Sequence, residues 1–336
     1  MKNSWFRYEQ DSDIVISSRV RLARNLKNFA FPNRLSPADV SIVNDEILTA
    51  LKGLNLTFTD ISLLDNLRAL AMVESHIISP AFLQKPHTKA LLTNEDFSTS
   101  IMLNEEDHVR IQAFSAGFNL DKCFDKANEI DDELDKNCEI AYDENLGFLT
   151  ECATNLGTGL RAGVGLHLLA LEHTGSIAEL QAAANKIGLT IRGTYGEGSA
   201  PTGSIYQLST QATLNIKEDA AIANLQSVTR QIIDKERDLR NNFIKDVKLL
   251  DKIFRAYGTL KYARTITSDE CTKNLSLIRL GVGCNILKDV DIDQINQLNI
   301  KTKPANLILN SNGETENTPQ NRDILRANLL RDNLTK

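Results

Sequence analysis

Between Asn104 and Arg110 the chain reads Asn-Glu-Glu-Asp-His-Val-Arg, which places three carboxylates, an imidazole and a guanidinium within seven positions. Such a set can move a proton and can grip a cation. Apolar residues flank it, Ile101-Met102-Leu103 before and Ile111 with Phe114 after, so the run reads as strand-like. Kept extended, it would turn Glu106, His108 and Arg110 to one face and Glu105 and Asp107 to the other, because side chains alternate with a period of two. Standing alone, it would be a solvated charge run at a turn.

Three further segments carry the same kind of chemistry. Ser17-Ser18-Arg19-Val20-Arg21 follows the apolar Ile14-Val15-Ile16, and alternation puts Arg19 and Arg21 on one side. Two adjacent guanidiniums repel one another, which points to an anion between them. Cys152-Ala153-Thr154-Asn155-Leu156-Gly157-Thr158-Gly159-Leu160-Arg161 joins a thiol to small residues and another arginine. Arg192-Gly193-Thr194-Tyr195-Gly196-Glu197 sets an arginine and a carboxylate around a glycine-rich turn. Arginine's planar donor fork matches phosphate oxygens better than lysine's point charge. Arg19, Arg21, Arg110, Arg161 and Arg192 with Glu106 and Glu197 therefore suggest a polyphosphate beside a cationic acceptor. No G-x-x-x-x-G-K-[ST] run is present, which excludes an ordinary P-loop as its cradle.

The elements that must position these residues are legible at coarse grain. Strand-like patches alternate with helices in the first part. Ser176 and Glu179 form a capping-box pattern, Ile177, Leu180, Ala184 and Ile187 fall at helical spacing, and Gly188 supplies a stop. Between Lys217 and Arg240 apolar residues recur near helical spacing, and this long helix closes the first domain. Beyond Asn241 strand signals vanish, and Val247 to Tyr257 and Arg322 to Leu330 read as helical. Residues 1–241 are expected to form an α+β domain and 242–336 a smaller all-α one, with Asn310 to Gln320 an exposed connector. The 336 residues, 42% hydrophobic, suffice for a globular core. A net charge of -6 disfavours a nucleic-acid partner, so the arginines read as a local anion site. The five cysteines form no C-x-x-C pair or regular framework, which disfavours zinc and disulfides; no apolar run could span a bilayer. A cytoplasmic setting is expected.

In order and spacing, SSRVRLARN, MLNEEDHVRIQ, TNLGTGLRA and RGTYGEGS resemble the signature blocks of the ATP:guanido phosphotransferases, the family of creatine and arginine kinases. Within it the resemblance is closest to the bacterial protein-arginine kinases. It implies an antiparallel sheet flanked by helices and transfer of the γ-phosphoryl group of ATP, with Mg2+, to a guanidinium nitrogen. It also implies roles: Glu106 and Glu197 grip the acceptor, Glu106 as base, and Cys152 orients it as a thiolate that nearby arginines favour. Ala153 stands where the family has proline. The nucleotide would be held by Ser17, Ser18, Arg19, Val20, Arg21, His76, Arg110, Arg161, Arg192, Gly193, Thr194, Tyr195 and Gly196. No protein ligand for the metal is implied, since magnesium keeps phosphate oxygens and water.

The resemblance extends to Arg322-Asp323-Ile324-Leu325-Arg326-Ala327, similar to a regulatory phosphoarginine pocket. Arg322 and Arg326, four apart on a helix, would hold the phosphate and Asp323 the guanidinium. Small-molecule guanidino kinases carry a helical domain before the first arginine block, which here begins at Ser17, so protein-borne arginine is the expected acceptor. The resemblance further implies homodimerisation through the C-terminal domain, a zinc-binding activator protein, and a Clp unfoldase and protease that receives the marked proteins. A small-molecule arginine kinase and a non-catalytic phosphoarginine adaptor are the alternatives.

Overall fold

The computed structural model describes residues 7–84, 88–193, 201–311 and 316–334. Its strands are β1 (Val15–Arg24), β2 (Thr57–Asp60), β3 (Ala90–Thr93), β4 (Thr99–Leu103), β5 (Val109–Ala116), β6 (Tyr142–Asp143), β7 (Gly147–Phe148), β8 (Leu160–His167), β9 (Leu189–Gly193) and β10 (Ile205–Thr210). In the same part lie helices α1 (Pro37–Ala50), α2 (Asn66–Glu74), α3 (Leu120–Asn137), α4 (Leu169–His173), α5 (Ile177–Lys186) and α6 (Glu218–Phe243). After them come α7 (Val247–Tyr262), α8 (Ser268–Gly283), α9 (Ile292–Lys301), α10 (Pro304–Asn310) and α11 (Pro319–Leu334).

Eight strands join into one antiparallel sheet in the order β2-β3-β4-β5-β1-β8-β10-β9, which seats β1 at its centre. The alternation of β1 decides the rest. Val20 and Leu22 are fully buried in the main core, and Ser18 Oγ donates to Gly117 O at 2.9 Å and accepts from Asn119 N at 3.0 Å. That face is covered by α3, whose Leu120, Cys123, Ala127, Ile130 and Leu134 recur at helical spacing and are buried. Arg19 and Arg21 turn to the opposite face.

The last helices build a second core from Leu249, Ile253, Leu260, Leu275, Ile278, Leu298, Leu330 and their neighbours, separate from the core of the sheet. A buried polar network joins the two parts. Glu236 on α6 accepts from the N–H groups of Ala170 and Leu171 and from Arg240 Nε at 2.8 Å, while Arg240 also donates to His167 O at 2.7 Å and Asp13 O at 3.0 Å. His167 reaches Ser276 Oγ of α8 at 2.8 Å.

Three sequence expectations are corrected. Residues 104–108 are a hairpin turn between β4 and β5 rather than strand; Asn104 takes φ 56° and its N–H donates to His108 O at 3.0 Å. His108 therefore does not share a face with Glu106; it is fully buried on the core side. Polar residues did mark a turn there, and flanking apolar residues belonged to two strands. The helix at Ile177–Lys186 forms, and Gly188 at φ 74° ends it, but Ser176 has helical dihedral angles and its side chain caps nothing. The stretch read as a connector is shorter, since Pro319 already begins α11.

Candidate active site

A cavity of about 560 Å³ opens on the face of the sheet away from α3, and Arg19, Arg21, Arg110, Arg161 and Arg192 all line it. Sheet register puts them there. In the pairing of β1 with β8, Arg21 stands directly opposite Arg161, and Arg19 opposite Gly163; in the pairing with β5, Ala23 stands opposite Arg110. Like charges directly opposite on a sheet destabilise it unless something neutralises them. Burial lowers Arg19 to about 10, with Arg110 adding to the effect. Arg21 is driven well below its ordinary value by burial and then by Arg110, Arg19 and Arg161, with Glu105 alone opposing. No hydrogen bond or ion pair to the described residues occupies either guanidinium.

Arg161 and Arg110 are braced. Arg161 donates from Nη2 to Thr154 O at 2.8 Å, from Nη1 to Thr210 O and Gln211 O at 3.2 Å each, and from Nε to Asn155 Oδ1 at 3.3 Å. Arg110 pairs with Glu105, whose carboxylate also accepts from Ser79 Oγ at 2.6 Å and from Glu106 N at 3.1 Å. Burial works to raise the Glu105 carboxyl, but Arg110, Ser79 and Arg21 together hold it below its ordinary value. Alternation had turned Glu105 away; the hairpin turn instead brings it beneath the cavity as the brace of Arg110.

Glu106 and Cys152 line the same cavity, and Glu106 is exposed in it. Asp107 ties them together. Its buried carboxylate accepts from Glu151 N at 2.9 Å and Asn25 Nδ2 at 2.6 Å, joining the Glu106 turn to the Cys152 loop. Burial raises the Asp107 carboxyl above its ordinary range. Cys152 Sγ lies 3.0 Å from Thr154 Oγ1. Its carbonyl accepts from Thr150 Oγ1 at 2.8 Å and Asn155 N at 2.9 Å, so hydrogen bonds hold a turn that Ala153 cannot stiffen.

His76 lies at φ 60° just past α2 and lines the cavity; burial, then Lys303 and Arg19, push its ring well below the ordinary value. Ser17 lines a smaller adjoining cavity. Ser18 and Val20, expected to contact the nucleotide, point to the opposite face of β1, a consequence of the alternation that brings Arg19 and Arg21 in. Gly193 ends β9 opposite Tyr206. Thr194, Tyr195, Gly196 and Glu197 lie outside the described residues. Arg24 is paired, at 2.6 Å from Asp131, and its guanidinium lies 3.5 Å over the Phe148 ring. Sequence reasoning missed Ser79, Gln112 and Gln207 in the lining. Gln112 was within reach, since it follows Arg110 by two positions on β5.

The C-terminal cluster is different. Arg326 is 1% exposed and donates to Thr302 O at 2.9 Å, Ile266 O at 2.8 Å and Asp323 Oδ1 at 2.7 Å. Arg322 donates to Asn317 Oδ1 at 2.6 Å. Arg326 is thus buried with its donors engaged, whereas Arg322 is only half-buried.

Comparison with known proteins gives the following. Residues 40–239 match the family model described as ATP:guanido phosphotransferase, C-terminal catalytic domain, and residues 246–336 match that of the protein-arginine kinase McsB C-terminal domain. The chain is 41% identical over 332 residues to a protein-arginine kinase of Pelotomaculum thermopropionicum, covering 96% of this chain and 92% of that one. It is 40% identical over 336 residues to a protein-arginine kinase of Clostridium tetani, covering 98% of each. Among solved structures, lombricine kinase aligns with a TM-score of 0.62 at 26% identity, over 72% of this chain and 70% of that one. A duplicated taurocyamine kinase from Schistosoma mansoni with bound transition-state-analog components aligns with a TM-score of 0.61 at 27% identity, over 68% of this chain and 34% of that one.

Proposed function

The chain belongs to the ATP:guanido phosphotransferase family, and we propose that this cavity is where it moves the γ-phosphoryl group of ATP onto arginine side chains of proteins. It is an enzyme, a protein-arginine kinase, and ATP is its phosphoryl donor. The observation that carries the site assignment is the crowding of Arg19, Arg21, Arg110 and Arg161 around one cavity, with Glu106 and Cys152 in the same lining. Such a lining is poised for a polyanion.

Phosphoryl transfer asks a protein chiefly for positioning and for charge neutralisation over the phosphate oxygens. Arg19, Arg21, Arg110, Arg161 and Arg192 supply the second. Glu106 binds the acceptor guanidinium and takes a proton from the nitrogen as that nitrogen bonds to Pγ and the bond from Pγ to the ADP oxygen breaks. Cys152 holds the guanidinium from another side, and Glu197 is assigned as the second carboxylate. Among the described residues of the lining Glu106 is the only acid. Mg2+ would be carried on phosphate oxygens and water and would help neutralise their charge. Five free thiols, and the absence of any helix among the described residues long and apolar enough to cross a membrane, support a cytoplasmic setting. A homodimer, an activator protein and hand-over of marked proteins to a Clp system are carried from the family resemblance as the proposed surrounding biology. The division at residue 241 falls inside α6, and the regulatory phosphoarginine site is assigned to Arg322, Asp323 and Arg326.

The test is incorporation of γ-phosphate from ATP into an arginine-rich protein as acid-labile phosphate, with free arginine in a parallel reaction. Protein labelling should dominate, and Glu106→Gln should lower turnover by about 10³ without changing the melting temperature. Efficient labelling of free arginine alone would select the small-molecule kinase. Phosphoarginine binding without any transfer would select the adaptor.

A further inference from the structure

On the other side of the Cys152 loop lies a groove of about 690 Å³, walled by the β6–β7 hairpin, the start of α6 and the α3 face that carries Phe124 and Asn128. Two glycines stack it against the loop. A Cβ on Gly147, at φ 75°, would overlap Gly157 O, and a Cβ on Gly157, at φ 110°, would overlap Thr213 O. The hairpin, the loop and residues 211–216 therefore pack backbone on backbone. Phe148 N donates to Gly157 O at 2.7 Å, Thr158 N to Thr213 O at 3.0 Å, and Thr213 Oγ1 to Leu156 O at 2.7 Å. The rim they form separates groove from cleft: Thr154, Asn155 and Gln211 line the cleft, and Gly157, Thr158 and Leu214 line the groove. Leu214 follows Gln211 by three positions, so their Cα atoms stand at most about 11 Å apart.

The groove presents apolar side chains that the core leaves out. Tyr142, Leu146 and Leu214 line it and are exposed, and the Tyr142 ring meets Phe148 edge-on at 5.3 Å between centroids. Apolar surface gathered in one place and rimmed by charge marks a contact site. Here the rim is acidic. Glu218 and Asp219 line the groove with Lys217 the one basic residue among its described lining, and Asp143 and Glu144 stand in the hairpin that carries Leu146. Beneath them Arg24 serves two carboxylates, Asp131 at 2.6 Å and Glu218 at 3.7 Å. Burial raises the Glu218 carboxyl above its ordinary range; Arg24 opposes the rise, while Asp131 and Asp219 add to it. This corner is short of cations, the reverse of the cleft.

We infer that the groove docks the stretch of a protein substrate beside its acceptor arginine, taking an extended segment of apolar and basic residues while the arginine crosses the rim into the cleft. This rests on the protein-arginine reading of the cleft. Charge decides the occupant, because an acidic rim repels nucleotides and acidic chains and draws in segments rich in lysine and arginine. At about 3.3 Å per residue, the width of the rim corresponds to three or four positions of extended chain. A free guanidino compound is too short to hold both hollows. Docking away from the reacting atoms is the same in the ground and transition states, so it acts on KM and leaves kcat alone.

The test uses an arginine-free carrier protein with a tail holding a single arginine, flanked three and four positions away on each side either by leucine and lysine or by serine. N-acetylarginine amide is the acceptor that cannot reach the groove. With the wild type, KM should be about tenfold lower for the leucine-lysine tail than for the serine tail, the scale of a buried apolar side chain and a screened charge pair. Leu146→Lys, which sets a cation on the exposed apolar wall, should erase most of that ratio, and Asp219→Asn, which removes one rim charge, should narrow it by about threefold. In both variants kcat, the KM for ATP and transfer to the amide should stay within about twofold. Circular dichroism checks the fold; where Leu146→Lys misfolds, Asp219→Asn carries the test. Equal KM values for the two tails in the wild type overturn the inference, and so does a ratio that survives in the folded variants. A parallel loss with the amide also overturns it, since the effect would then run through the Cys152 loop. Labelling of neither tail refutes the protein-arginine reading itself, and the docking with it.

Discussion

Arg21, half-buried in the cleft, and Arg326, buried on α11, have their guanidiniums treated in opposite ways. Arg326 meets two backbone carbonyls and a carboxylate, all within 2.9 Å. Arg21 meets other cations: Arg161 stands opposite it in the sheet, Arg19 and Arg110 lower its pKa further, and the one nearby acid, Glu105, is already paired with Arg110. A buried cation with its acceptors supplied is a structural part. A cluster of cations without them is strain held in reserve for a ligand. What separates a binding arginine from a structural one is therefore the supply of internal acceptors, which spacing in sequence does not show.

Single truncations should pull the two apart, and the largest effect belongs to the cleft. Arg21→Ala should lower kcat/KM by about 10³, the scale of losing an arginine that neutralises a transferring phosphoryl group. Its urea midpoint should hold or rise, because repulsion is relieved. Arg326→Ala should do the reverse, costing about 3 kcal/mol of stability by leaving Thr302 O, Ile266 O and Asp323 without their donor, while activity per folded molecule stays near normal. An Arg21→Ala protein that is active but unstable would break the comparison.

The same contrast sharpens with pH in two histidines. His76 faces the cavities, whereas His108 is walled in, accepting Leu26 N–H at Nδ1 (3.0 Å) and standing 2.8 Å from Ala30 O at Nε2. Burial lowers His108 to about 4, against the pull of the Ala30 carbonyl. A proton on Nδ1 would confront the Leu26 N–H. Below pH 6.5 the unfolded chain binds a proton that the folded chain refuses, so stability falls as the pH drops from 6.5 toward 4. His108→Gln should flatten that limb by about 2 kcal/mol in urea titrations at pH 7 and pH 4.5. ATP should steepen nothing in His108, but its phosphates should favour the protonated ring of His76, so nucleotide binding near pH 6 should take up protons in calorimetry across buffers.

Much of the cleft was legible because a strand's alternation is a rigid rule. Once Ile14-Val15-Ile16 marked β1 as buried, Arg19 and Arg21 had to share a face, and the same rule excludes Ser18 and Val20 from it. The rule failed at Asn104 to His108 because flanking apolar residues cannot distinguish one long strand from two joined by a tight turn, and a residue at positive φ resets the alternation. It could not reveal Glu105 as the brace of Arg110, nor Asp107 as the link between Glu106 and the Cys152 loop. Those are tertiary contacts. On α11, a four-residue spacing picked out Arg322 and Arg326, but only the packed helices show that Arg326 is buried and that Thr302 and Ile266 lie there to receive it.

The smallest expected effect tests the anionic side of the cleft. Cys152 and Glu106 line the cavity with the arginines, and the Cys152 sulfur is held 3.0 Å from Thr154 Oγ1 in a turn pinned by Asp107 through Glu151 N. Serine fits that turn and can keep the contact to Thr154, but it removes the sulfur proposed to face an acceptor guanidinium. Cys152→Ser should therefore slow turnover by roughly tenfold, about 1.4 kcal/mol of barrier, and leave ATP affinity unchanged, because the nucleotide rests on the arginines. Asp107→Asn tests the scaffold beneath it: the amide can still accept from Glu151 N, so turnover should fall less than in Cys152→Ser. Equal loss of ATP affinity and turnover in Cys152→Ser would move the sulfur to the nucleotide side, and unaltered kinetics would leave the guanidinium to the carboxylates alone.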